Sequence, residues 1–373
     1  MTRTTRWILF AAISLASARA YAYPQFIAKS YTNCGTCHYN PTGGGLLNAY
    51  GALTLEATYP LEDLREAIAK PVVTGYAEDS DEAAFQMDVG LDARLLLLRA
   101  PKQTNGSNSL LLVPMLVELG STAARGPLIA YGTVTPRRRG SERTSVGPFS
   151  REHWIGLRSS DTLTWRAGRM VLPFGLRQAD HTVYVREDFG FDKWDQSYAL
   201  ALDAASESWM LSGAIFGGDF LLVSDLRELG ATASVTHNLP SRAAVGVSAM
   251  FGATPLWARS LASVHVRWRI IERLYTLAEV VAQKRWSRRE AKDQTQSAGM
   301  LRLGWFVLPS IDVFIEMGTR IIQKARKATK ARYTLGVQWQ PLPWIEVGPT
   351  LQLEETRETG VVFNAFSQIH LIY

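Results

Sequence analysis

Phe85-Gln86-Met87-Asp88-Val89-Gly90-Leu91-Asp92-Ala93-Arg94-Leu95-Leu96-Leu97 is the stretch that decides the fold. Apolar side chains at Phe85, Met87, Val89, Leu91, Ala93, Leu95 and Leu97 alternate with Gln86, Asp88, Gly90, Asp92 and Arg94. A period of two puts successive side chains on opposite faces of a β-strand. The pattern returns in Val264, Val266, Trp268 and Ile270 against Ser263, His265, Arg267 and Arg269, and again over Ile311–Gly318. Periodicity alone suits a soluble sandwich, with the apolar face inside, or a transmembrane barrel, with that face against lipid.

Connection lengths separate the two. Tight turns fall at Ser159-Ser160-Asp161, Asp203 to Ser206, His237 to Ser241, Ile271-Glu272, Leu308-Pro309 and Pro341-Leu342-Pro343. Between them lie longer polar connections at Pro136 to Pro148, Val171 to Asp195, Arg285 to Asp293 and Gln323 to Lys330. Alternation of short and long connections belongs to outer-membrane barrels and has no reason to occur in a sandwich. Phe363, Ala365, Ser367, Ile369, Leu371 and Tyr373 form one face of a last strand ending on an aromatic, and Trp268, Trp286, Trp305, Trp339 and Trp344 suit interfacial girdles. The expected fold is all-β: a transmembrane antiparallel β-barrel of about 16 strands over residues 81–373. With 47% hydrophobic and 20% charged residues, the chain still has no apolar run of about eighteen residues that could cross a bilayer as a helix.

The beginning reads as an export signal. Arg3 and Arg6 precede the apolar run Trp7 to Ala18, and Ala20-Tyr21-Ala22 offers small residues for cleavage after Ala22, so residues 1–22 are expected to be removed. Loss of Arg3, Arg6 and Arg19 lowers the formal charge from +6 to +3, and net charge gives no argument for nucleic acid.

Cys34 and Cys37 are the two cysteines, separated by Gly35-Thr36 and followed at once by His38. Three positions apart, they cannot staple distant parts of a fold. Cys-x-x-Cys-His is the spacing for two thioethers to one covalent haem c, with His38 as proximal iron ligand. A redox-active dithiol and half of a zinc site are the alternatives; the first lacks a thioredoxin-like context and the second lacks further ligands nearby. Residues 23–80 are read as a small, mostly irregular or helical haem domain, with Phe26, Tyr39, Pro41, Leu46 and Tyr50 as candidates to pack against the porphyrin. Apart from His38 this region contains no His and no Met, so a sixth ligand must come from the barrel or be absent. Parity makes His265 and Met300 the inward-facing candidates, with His181 a third if the connection from Val171 to Asp195 folds into the lumen.

Parity also turns Arg94, Arg267, Arg269, Arg302, Glu316, Arg320 and His370 inward, where charge pairs can fill a narrow pore. The basic runs Arg137-Arg138-Arg139, Lys284-Arg285, Arg288-Arg289 and Lys324-Ala325-Arg326-Lys327 fall on the longer connections, suited to anionic lipid headgroups; no nucleic-acid recognition fold is evident.

Pro24-x-Phe26, Cys34-Gly35-Thr36-Cys37-His38 and Leu47-Asn48-Ala49-Tyr50-Gly51, ahead of a barrel, resemble the fused outer-membrane cytochrome–porin family. The resemblance implies a monohaem c-type cytochrome joined to a porin in the outer membrane of a Gram-negative bacterium, its haem domain at the periplasmic mouth or inside the barrel. It also implies an electron carrier rather than a substrate-turnover enzyme, working between a periplasmic cytochrome and an extracellular donor or acceptor, with Fe(II) as a candidate donor. A passive porin with a haem-bearing plug is the other expectation, and an open, gas-binding haem a third.

Overall fold

The computed structural model describes residues 27–28, 31, 33–48, 50–51, 85–99, 110–138, 146–178, 183–191, 195–220, 222, 224–240, 242–288, 293–323, 328–342, 344–356 and 360–372. The proposed export signal, Phe26 and His181 lie outside them.

Strands β1 (Phe85–Arg99), β2 (Leu110–Arg125), β3 (Leu128–Arg138), β4 (Val146–Phe149), β5 (His153–Ser160) and β6 (Leu163–Val171) open the sheet. After helix α1 (Tyr184–Glu187) come β7 (Gln196–Ala205), β8 (Trp209–Phe216), β9 (Leu229–Leu239), β10 (Ala243–Ala253), β11 (Trp257–Arg269) and β12 (Leu274–Ser287). The last five are β13 (Gln294–Leu308), β14 (Ile311–Gln323), β15 (Ala328–Leu342), β16 (Ile345–Thr356) and β17 (Gly360–Ile372). Consecutive strands pair antiparallel apart from β4 and β5, and β1 pairs with β17 from Asp92↔Ile372 to Leu98↔Phe366, which closes the sheet. β4 and β5 pair with successive parts of β3, so they are two halves of one wall strand interrupted at Ser150-Arg151-Glu152. The barrel therefore has 16 strands, as the alternation foretold.

The turns also fall where expected, at Asp161-Thr162, 206–208, 240–242, 270–273 and 309–310. At the opposite end the connections are longer, except at 254–256, 324–327 and 357–359. Thr254 tightens the first of these by accepting from the backbone N–H groups of Leu256 and Trp257 through its hydroxyl.

Side chains are distributed inside out. On β12 Val280 is 61% exposed on the outer face while Glu279 is buried within, and on β14 Ile315 and Met317 face out while Asp312, Phe314 and Glu316 face in. An apolar exterior around a charged interior, on a closed sheet whose backbone groups pair with one another, is the solution for a protein surrounded by hydrocarbon. Arg302 and Glu316 pair across β13 and β14 at 2.8 Å, and His370 and Asp92 across β17 and β1 at 2.9 Å.

Candidate functional site

Two pieces of chain enter the lumen. The first is the β6–β7 connection, which folds inward as its length suggested. Phe174 stacks on Phe191 with centroids 4.4 Å apart, and Arg186 of α1 donates to the carbonyl oxygens of Leu176 and Phe191, closing the segment on itself. The wall holds it: Arg259 donates to the Phe189 carbonyl, Gln296 to that of Asp188, and Arg320 pairs with the Asp188 carboxylate at 2.8 Å. Burial raises the Asp188 carboxyl pKa against the pull of Arg320.

The second is the motif region. Ala28 is tied to the barrel end of β11, its carbonyl accepting from Arg269 at 3.2 Å. Tyr39 donates through its hydroxyl to Asp88 on β1, and Leu46 packs beside Gly120 on β2. Asn40, 1% exposed, is the centre of the attachment. It accepts from Arg166 on β6 at 2.8 Å and donates to Glu152 at 3.3 Å. Glu152 belongs to the interruption between β4 and β5, and Arg166 also pairs with Asp203 on β7. Arg177 joins the two inserted pieces, donating to Thr42 at 2.9 Å and pairing with Glu152 at 3.4 Å. Through these contacts the motif region sits against the inner wall.

Locally the motif is a tight turn. Residues Cys34–Thr36 form a single 3-10 turn capped by Asn33, whose side chain accepts from the Gly35 N–H, and the N–H groups of Cys37 and His38 both donate to the Cys34 carbonyl. Asn48 donates through its side-chain amide to the carbonyls of Gly35 and Thr36, and its backbone N–H donates to the Cys37 carbonyl. Gly51 passes so close to that carbonyl that a Cβ there would collide with it. Leu47 to Gly51 thus serves as the back support of the cysteine turn.

Cys34 is half-buried and Cys37 is 2% exposed, and both thiols are free. Burial raises the Cys34 pKa, with Arg267 and Arg177 opposing, and raises Cys37 to about 11, with Cys34 adding to the effect. His38 lies within 3.2 Å of the Gly45 carbonyl through Nδ1. With the proton on Nδ1 this contact is a donated hydrogen bond, and the Nε2 lone pair is left for a metal, the arrangement that orients ligating histidines. Burial and the nearby Arg177 lower the His38 pKa to about 4, so the ring is neutral near pH 7.

Beside Cys34, between the two inserted pieces, lies a cavity lined by residues that include Thr42, Phe174, Arg177, His265 and Arg267. Neighbouring cysteines and an imidazole oriented for ligation are the donor set of a c-type haem; of the three residues only Cys34 borders the cavity. Among the described residues no group of three or more His, Cys, Asp and Glu is arranged to hold a bare metal ion.

The other candidates separate. Pro41 lines the cavity, Tyr39 and Leu46 dock the motif on the wall, and Tyr50, 47% exposed, meets the Tyr31 hydroxyl. His265 lines the same cavity as Cys34. Met300 belongs to the apolar cluster in the lumen, where its sulfur accepts from Gln178. Arg94, Arg302, Glu316, Arg320 and His370 are spent in ion pairs. Asn40, Glu152, Arg166 and Arg177 were not foreseen as site residues.

The barrel can be set beside solved structures. OmpT, an outer membrane protein of Vibrio cholerae, superposes with a TM-score of 0.60 at 10% identity, over 79% of this chain and 99% of that one. The fold is porin-like. An anion-selective porin from Comamonas acidovorans matches the porin-like barrel at TM-score 0.57 and 12% identity, covering 78% of this chain and 100% of its own. The outer membrane channel DcaP of Acinetobacter baumannii gives 0.53 at 9% identity, over 79% and 99%. At such identities the likeness is one of fold. Neither a family model nor a curated protein matches the chain.

Proposed function

We propose that this chain is a porin-type barrel of the Gram-negative outer membrane whose lumen is stoppered by a segment carrying one covalent haem c, and that it passes electrons between a periplasmic cytochrome and an extracellular donor or acceptor. The observation that carries the reading is the place of the Cys34–His38 turn inside the wall, beside a cavity, with protein on both sides of it.

Haem would supply a one-electron iron couple. Cys34 and Cys37 would hold it through thioethers, and His38 would present Nε2 while its Nδ1 keeps the bond to Gly45. Arg177 and Arg267 border the cavity and suit the anionic edge of such a cofactor. Asn40, Arg166 and Glu152 hold the turn, and Arg259 ties the β6–β7 segment to the wall.

A second reading, a solute-conducting porin with the haem segment as a plug, is favoured by the likeness to solved porins. Protein purified from outer membranes and placed in liposomes enclosing a reducible dye separates the two. Dye reduction on addition of a membrane-impermeant external reductant, lost in Cys37→Ala with an intact barrel, supports the conduit. Passage of small solutes without dye reduction supports the porin and removes the conduit.

A further inference from the structure

We propose that the cavity between the β6–β7 segment and the wall is a site for one small oxyanion, of the phosphate or sulfate class, which fastens the segment to β11. It stands independently of the haem reading, because the cavity, of about 80 Å3, has room for a few waters or one such ion and none for a porphyrin. Its lining carries three guanidinium groups, Arg177 and Arg186 from the segment and Arg267 from β11, together with His265 and the hydroxyls of Ser234 and Thr236. Among the described residues, no carboxylate lines it. Arg186 donates to the Leu176 and Phe191 carbonyls, and Arg177 is partly offset by Glu152 at 3.4 Å. Neither contact brings a carboxylate into the cavity itself. Positive charge gathered away from bulk water is stabilised by a counter-charge within hydrogen-bond reach.

His265 supplies a donor aimed at the same ion. The ring is 3% exposed and its Nδ1 is buried without a hydrogen-bond partner, while Nε2 lies 3.1 Å from the Thr236 hydroxyl. With Thr236 donating to Nε2, the proton of a neutral ring sits on Nδ1, and a buried donor left unmet is costly. An oxyanion accepts it. Ser234 accepts from the Ser248 hydroxyl at 2.9 Å and so keeps its own proton as a second donor. Phosphate and sulfate oxygens accept several charge-assisted hydrogen bonds at once, which matches a lining of guanidinium, imidazole and hydroxyl groups. Because Arg177 and Arg186 belong to the segment and His265 and Arg267 to the wall, an ion between them ties one to the other. A ligand that binds only the assembled state raises its stability by mass action.

The test uses full-length protein matured with haem, in detergent free of phosphate and sulfate. Titration calorimetry with inorganic phosphate and with sulfate reads binding, and proteolysis within residues 172–191 reads the segment. One ion per chain is expected, with cleavage slowing as the ion is added. Arg267→Gln should abolish both effects, and His265→Ala should weaken binding about tenfold or more. Absence of binding, or binding unaltered in both variants, would overturn the proposal. The carboxylate edge of a cofactor offers the same chemistry, so wild-type chain produced without haem maturation is titrated as well. Binding to the matured protein supports a free oxyanion; binding to the haem-free form alone assigns the guanidinium groups to the cofactor and rejects the proposal. A chain that carries no covalent haem by mass removes the haem reading and leaves this one to the titration. If Arg267→Gln does not fold, His265→Ala decides alone.

Discussion

The carboxylate of Glu279 accepts a hydrogen bond from the backbone N–H of Leu176 at 3.2 Å, tying strand β12 to the segment that folds into the lumen. The Ser263 hydroxyl donates to its other oxygen at 2.6 Å, so both oxygens have partners. Glu279→Ala leaves two buried donors unmet, at about 1–3 kcal/mol each. The expected result is faster proteolytic cleavage within residues 172–191 and a higher ion conductance through the barrel. An unchanged digestion pattern would show that the segment is held from elsewhere.

Gly175 adopts a φ of +60°, and a Cβ there would strike the Glu279 carboxylate. Gly175→Ala combines backbone strain of about 1–3 kcal/mol with that collision, and should loosen the same segment as Glu279→Ala. Because both variants break one link, the double variant should be little worse than either alone, which a double-mutant cycle on protease sensitivity measures.

Asn40→Leu removes an acceptor from Arg166 and a donor from Glu152. Hydrogen bonds to charged groups contribute about 1.5–3 kcal/mol, so the motif region should release from the wall before the barrel unfolds. Hydrogen exchange is the measurement: protection should fall over residues 33–48 and persist in the strands.

Gly51→Ala should separate the motif from the barrel, because its new methyl group meets the Cys37 carbonyl. The expected protein has the heat-modifiable gel mobility of a folded barrel and greatly reduced covalent haem by haem staining. Normal haem content would show that the Leu47 to Gly51 support can shift without cost.

Val280, 61% exposed at the middle of β12, tests the membrane-facing surface. Val280→Arg should lower stability in lipid by about 2–4 kcal/mol if it lies near the bilayer centre, read from guanidinium titrations in liposomes.

The wall was legible in the sequence because its signal is periodic. One apolar face per strand, turns set by Asp161, Pro309 and their neighbours, and a long connection after Val171 are local properties, and the structure places them where they were read. His265, Arg302 and Glu316 followed from parity in the same way. The seat of the motif was not legible. It depends on single polar residues, with Asn40 bonded to Glu152 and Arg166 across more than a hundred positions and none of the three carrying a periodic mark. The split of one wall strand into β4 and β5 was equally hidden, because the residues between them, Ser150-Arg151-Glu152, gave no turn signal on their own. Their role shows only in three dimensions, where Arg151 pairs with Glu118 at 2.7 Å and Glu152 reaches the motif.

The attachment of the motif to the wall also dictates an order of manufacture. The bonds from Asn40 to Glu152, Asn40 to Arg166 and Ala28 to Arg269 span 112, 126 and 241 positions, so the seat does not exist until much of the barrel does. Yet Cys37, 2% exposed once seated, is out of reach of any enzyme working from outside. A cofactor joined to that sulfur has to be attached while the segment is still free in the periplasm, and the barrel then closes around a finished part, as a ship is assembled around its boiler.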